Sequence, residues 1–159
     1  MCWSEGASLS MVALGAVATV VTARRREPLA IPATLGFFTF MEALQVAGYW
    51  VIDECGTPAN QSVTLLSYLH IAFQPIFINA FAMAIAPMVV PPAMRRWVFG
   101  LASLATMVLI ARLIPFDWAG PCKEGTVLCG TGLCTITGTW HLGWSVPLND
   151  IWGSLFGPI

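Results

Sequence analysis

The stretch GASLSMVALGAVATVVTA, residues 6–23, decides how the rest of the chain is read. It carries no formal charge, and at about 1.5 Å per residue it is just long enough to cross about 30 Å of hydrocarbon. Glu5 precedes it and Arg24-Arg25-Arg26 follow it. A secretory signal has the opposite order of charge, so the stretch reads as an uncleaved anchor.

Outward from that segment the same pattern repeats. Pro28 suits the first turn of a helix, where a missing N–H costs nothing, and residues 28–52 form a second apolar run broken only by Glu42. The polar turn formers Asp53 to Asn60 separate it from a third run, 63–90, in which Pro75 and Pro87 are expected to kink or end the helix. Pro91-Pro92 breaks the chain, Arg95-Arg96 follows, and residues 97–115 make a fourth run interrupted by Arg112. The expected fold class is therefore all-α: an integral membrane helical bundle of about four transmembrane helices over residues 1–115, with a Cys/Gly/Trp-rich extramembrane cap over 116–159.

Composition agrees with lipid as the solvent. Of the 159 residues 57% are hydrophobic and 9% charged, and mean hydropathy is +0.77, whereas soluble domains carry about 25% charged residues. A net charge of -1 leaves no basic stripe for a phosphate backbone, which argues against nucleic-acid binding.

Orientation follows from the arginines, since basic residues near span ends stay cytoplasmic. Four crossings put Arg24 to Arg26 and Arg95-Arg96 on one side. The N-terminus, the Asp53–Asn60 loop and the C-terminal cap then lie on the other, the periplasm of a bacterial inner membrane. Tyr49, Trp50, Trp97 and Trp118 fall at expected span ends, as an aromatic belt does.

The cap region holds eight of the 14 glycines, four of the seven tryptophans and three of the five cysteines. Val127 to Ile136 reads as a short hairpin turning at Gly130-Thr131-Gly132. Residues 150–159 are apolar but too short to span, and are expected at the interface or against a partner. All five cysteines fall on the outer side, where thiols are oxidised. Cys55, Cys122, Cys129 and Cys134 are the disulfide candidates, and Cys2 is the expected unpaired one. Zinc held by three thiolates and His141 is an alternative that lacks the usual Cys-x2-Cys knuckle.

Polar groups inside the spans are where function would hide, because a charge at mid-bilayer costs about 2.5–3.5 kcal/mol on insertion scales. Glu42, Gln45 and Tyr49 share one face of the second run; His70 and Gln74 share a face of the third. Glu42 and His70 lie about 15 Å and 13 Å from the same surface, counted along each helix. Two antiparallel neighbours would therefore set a carboxylate against an imidazole, with Gln45 and Gln74 completing the hydrogen bonds. Asn79 points away from His70 and belongs to another contact. Arg112 either snorkels outward or reaches down to Glu42. Such groups serve as interhelical hydrogen bonds, as a haem or pigment ligand at His70, or as a proton relay through Glu42. No phosphate loop, His-Glu-x-x-His motif or nucleophile elbow is present in the sequence.

Met1-Cys2-Trp3-Ser4, Met41-Glu42 with Gln45, Tyr68-Leu69-His70-Ile71 with Phe73-Gln74-Pro75 and Asn79, Pro115 to Gly120, and Trp140-His141 with Trp144 and Val146-Pro147 together resemble a family of bacterial multi-pass membrane proteins without an assigned function. The resemblance covers most of the chain. It implies that the polar residues within the spans belong to one shared design, and it transfers no activity to them.

Two functions are expected from these observations. The preferred one is an accessory or structural transmembrane subunit of a larger membrane complex, for instance an energy-transducing (photosynthetic or respiratory) one, with Ala/Gly-rich spans for close helix contact and cap tryptophans as anchors for protein partners. The competing one is a membrane enzyme or a protein binding haem, pigment or metal, built on Glu42, Gln45, His70 and Gln74 with Arg112 orienting charge.

Overall fold

The computed structural model describes residues 4–86, 90–123, 125–126, 128–139, 141–151 and 153. The expectations for Cys2, for Pro87 and for Trp152 and most of the closing tail lie outside them. Four helices dominate: α1 (Glu5–Arg24), α2 (Ala30–Trp50), α3 (Pro58–Ile85) and α4 (Pro92–Ala111). Each is long and apolar enough to cross a membrane.

Local chemistry sets their ends. Ser4 caps α1 by accepting from the Ala7 N–H at 3.2 Å, with Glu5 in the first turn and Arg24 in the last, each matching the sign of the helix dipole. Thr57 caps α3 by accepting from the Asn60 N–H at 3.3 Å, and Pro58 sits just inside. This start lies one and a half turns before the expected 63, because a capped proline opens the helix through the polar residues Asn60, Gln61 and Ser62. α4 likewise begins at Pro92 rather than at 97. Pro75 lies inside α3, which continues past it to Ile85. Within α1 and α2 the hydroxyls of Ser10, Thr19, Thr22 and Thr39 donate to carbonyls one turn back, so they offer no bare polar group to apolar surroundings.

The helices pack in chain order, α1 on α2, α2 on α3 and α3 on α4. The result is a bundle laid out as a row, and α1 has its substantial contacts with α2 alone. That contact is antiparallel and close: a Cβ at Gly15 would collide with the Thr39 hydroxyl, and one at Gly36 would lie 3.5 Å from the Thr19 methyl. At the end of α1 near its N-terminus, Trp50 Nε1 donates to the Glu5 carboxylate at 2.8 Å.

The cap corrects the all-α expectation. Strands β1 (Cys134–Thr137) and β2 (Leu142–Ser145) form a two-stranded antiparallel sheet, Cys134 opposite Ser145 and Thr137 opposite Leu142. The hairpin turn is therefore at Gly138–His141, not at Gly130-Thr131-Gly132. Gly130 serves close approach instead: a Cβ there would strike Ser145, whose Oγ donates to the Gly132 carbonyl at 2.9 Å. Residues 128–130 run alongside Val146, with Val146 N–H to Leu128 O at 2.9 Å and Gly130 N–H to Val146 O at 3.1 Å. The core of the cap is Cys122, Val146 and Leu148 packed on Tyr68 of α3, with Leu113, Leu128, Leu133 and Trp144 around them.

Candidate functional site

Two disulfides hold the cap, Cys55 to Cys134 and Cys122 to Cys129. They join the four candidate cysteines, leaving no thiolate among these four for a zinc site with His141, whose Nδ1 lies 2.8 Å from the Leu142 carbonyl.

Beneath the first disulfide lies a fully enclosed polar node that the sequence reading placed in a loop. Asn60 has no exposed surface. Its Nδ2 donates to the Val51 carbonyl at 2.7 Å and the Thr135 carbonyl at 3.0 Å, while its Oδ1 accepts from the Thr135 N–H at 2.9 Å. Thr64 Oγ1 sits 2.8 Å from Thr135 Oγ1. One amide thus ties the end of α2, the start of α3 and strand β1 together, with every polar atom of the side chain paired. Leu142 covers the node by packing on Gly48, where an added Cβ would stand 3.0 Å from the Leu142 methyl. A second clamp acts on α4: Asn149 Nδ2 donates to the carbonyls of Ala111 and Ile114 at 2.8 and 2.7 Å, its backbone N–H donates to Arg112 O at 2.8 Å, and Tyr68 Oη donates to Leu109 O at 2.7 Å. Both devices occupy carbonyls that helix ends leave open.

Outside the helices, Asp53 grips β1 at Thr137. The Thr137 hydroxyl donates to one carboxylate oxygen at 2.6 Å and its N–H to the other at 2.8 Å. These bonds, the hydroxyl first, hold the Asp53 carboxyl below the usual carboxylate range. A depressed folded-state value means that the grip is fully present above the unfolded value of about 3.9 and is lost as pH falls through the lower, folded one. Protection of the Thr137 amide relative to its intrinsic exchange rate is therefore expected to fall as pH drops from about 3.9 through the folded value, and Asp53→Asn is expected to flatten that dependence.

Two of the residues expected in an intramembrane cluster, His70 and Gln45, are each engaged with other partners. His70 is buried, but its Nε2 lies 2.8 Å from the Phe37 backbone carbonyl. A carbonyl only accepts, so Nε2 carries the proton and is spent. The ring stacks on Phe37 at 3.7 Å, and Phe37 stacks on Phe77 at 3.9 Å. The other nitrogen, Nδ1, is enclosed without a hydrogen-bond partner. Nε2 is thus taken up by the backbone, and Nδ1 alone keeps a lone pair without a partner. Gln45 faces the other way and accepts from Ser8 Oγ of α1 at 3.2 Å. Among the described residues no hydrogen bond or ion pair joins half-buried Glu42 to His70, Gln74 or Arg112. Asn79 closes on its own helix, Nδ2 to Pro75 O at 2.7 Å. Arg112 ends α4 as its C-cap, and its Nε is buried without a partner.

The comparison with known families comes to rest on this architecture. Residues 6–157 match the family described as "Family of unknown function (DUF5765)". The chain belongs to that family. The match spans the helical row and the cap together. No curated protein and no solved structure matches the chain.

Three of the residues that organise the site were not legible as such. Asn60 looked like a turn former, although Thr57-Pro58 three residues before it is a helix-start signal that puts it inside α3. Ser8 and Asn149 carried no signal, because their partners are set by packing across the row and under the cap.

Proposed function

We propose that this family member is a four-span integral protein of a bacterial inner membrane, with its cap on the periplasmic side, serving as an accessory or structural subunit of a larger membrane complex. The observation that carries this reading is how its polar groups are used. His70 is spent on Phe37, Gln45 on Ser8, Asn60 on β1 and Asn149 on α4. These bonds set shape, tying helix to helix and helix to cap. Meanwhile Leu9, Leu14 and Val17 of α1 and Trp97, Leu101 and Met107 of α4 stand exposed on the two helices at the ends of the row. Lipid or a partner helix would cover such surface; water would not.

Orientation has two independent supports. Both disulfides stand at the cap end, which suits an oxidising compartment. Arg24 to Arg26 and Arg95-Arg96 stand at the opposite ends of the same helices, as cytoplasmic residues do.

Gentle detergent extraction, an absorbance spectrum and native mass spectrometry test the proposal. A colourless chain held in a fixed stoichiometry with other membrane subunits is expected, and His70→Leu is expected to leave that stoichiometry unchanged. A chromophore or metal that co-purifies and is lost in His70→Leu would replace the accessory role by the cofactor-binding one.

A further inference from the structure

The two disulfides sit in different surroundings. Cys122 is 8% exposed and lies with Cys129 in the cap core against Tyr68, Val146 and Leu148. The short loop it closes contains Leu128 in the left-handed region at φ 67°, a conformation unfavourable for a branched residue and held by the Leu128 carbonyl accepting from Val146 N–H. Cys55 and Cys134 differ from this in two respects. Cys55 is exposed, on the turn between α2 and α3, while Cys134 is 5% exposed. The bond also duplicates contacts that already fix its two ends: Asn60 to Thr135, Thr64 to Thr135, Asp53 N–H to Thr135 O, and the Asp53 carboxylate to Thr137.

We propose that Cys55–Cys134 is a redox-active pair that exchanges with an external dithiol, while Cys122–Cys129 is structural. A thiolate of the dithiol attacks Cys55 Sγ, the sulfur presented to solvent; the Cys55–Cys134 bond breaks and Cys134 leaves as a thiolate that takes up a proton. The second thiolate of the dithiol then attacks its own partner sulfur in the mixed disulfide and expels Cys55. Two electrons pass to the pair, and the dithiol becomes a disulfide. Once reduced, the Cys134 thiol has an acceptor in place, the Thr135 carbonyl 3.5 Å from its sulfur. Because the hydrogen-bond node keeps the backbone of β1 in place, the sulfurs remain positioned to close again. This inference stands apart from the accessory role and does not need it.

The test uses the full chain in lipid nanodiscs. It is titrated with dithiothreitol in one arm and with a reduced Cys-x-x-Cys protein of thioredoxin type in the other, and free thiols are trapped with a maleimide and located by peptide mass. Cys55 and Cys134 are expected to label at a dithiothreitol concentration about tenfold below that for Cys122 and Cys129, with the cap still protease-resistant, and oxidised glutathione is expected to restore the same pair. Opening in both arms supports the proposal with a protein dithiol as partner, and opening by dithiothreitol alone supports it with a small-molecule dithiol. Simultaneous opening of the two bonds, earlier opening of Cys122–Cys129, or a cap that becomes protease-sensitive as Cys55–Cys134 opens would overturn it. The double variant Cys55→Ser, Cys134→Ser is expected to keep its cap folded; an unfolded cap there would also overturn it.

Discussion

Asn60→Ala is expected to loosen the cap from the helices by about 3 kcal/mol or more, the largest effect of any single substitution considered. The side chain is fully buried, and its loss leaves the Thr135 N–H and the carbonyls of Val51 and Thr135 without their partner. An orphaned buried polar group costs about 1–3 kcal/mol, and a node of several shares that cost non-additively. Asn60→Asp keeps an acceptor for Thr135 N–H but loses the two donations, so it is expected to fall between Ala and the parent. Hydrogen exchange along Cys134–Thr137 checks this with the disulfides intact: faster exchange in β1, with α1 unchanged, is the expected pattern. Parental exchange rates in the Ala variant would mean that Cys55–Cys134 alone holds the hairpin.

Gly15→Leu is expected to detach α1 from the row. The Gly15 backbone lies against the Thr39 side chain, which is itself fixed by donating to the Leu35 carbonyl at 2.7 Å. Overpacking a tight contact costs about 1–3 kcal/mol, and α1 has no second helix against which to retain its place. The Ser8–Gln45 and Glu5–Trp50 bonds lie further along the same seam and would be lost with it. Spin labels on the outward faces of α1 and α2, in a Cys2→Ser background, are expected to report a sharp distance in the parent and a broad one in Gly15→Leu. Pairing Gly15→Ala with Thr39→Ala is expected to restore the sharp distance. An unchanged distance in Gly15→Leu would mean that the two helices do not meet at Gly15.

How much of this was legible in the sequence follows from the physics of each signal. Four apolar runs and their breaks are local properties, and all four helices appear within a few residues of them, except where proline opens α3 and α4 early. The four disulfide cysteines were legible as candidates, since exposure to an oxidising side is a topological statement; which cysteine meets which depends on the cap fold. The hairpin was misplaced because Gly-Thr-Gly signals either a turn or close backbone approach, and only the position of Ser145 separates the two. The Glu42–His70 pairing rested on equal depth, which fixes height but not rotation. His70 instead turns into the Phe37–Phe77 stack, and Gln45 turns to α1. The row arrangement was not legible, because four amphipathically indistinct helices do not announce their neighbours.

The account rests on a bilayer lying between the cap and the arginine-bearing helix ends. Single reporter cysteines at Arg25 and at Lys123, introduced in a Cys2→Ser background with both disulfides intact, test this most directly when right-side-out vesicles are treated with a membrane-impermeant maleimide. Labelling at position 123 from outside, and at position 25 only after permeabilisation, is the predicted result. Labelling of both positions from the same side would contradict it.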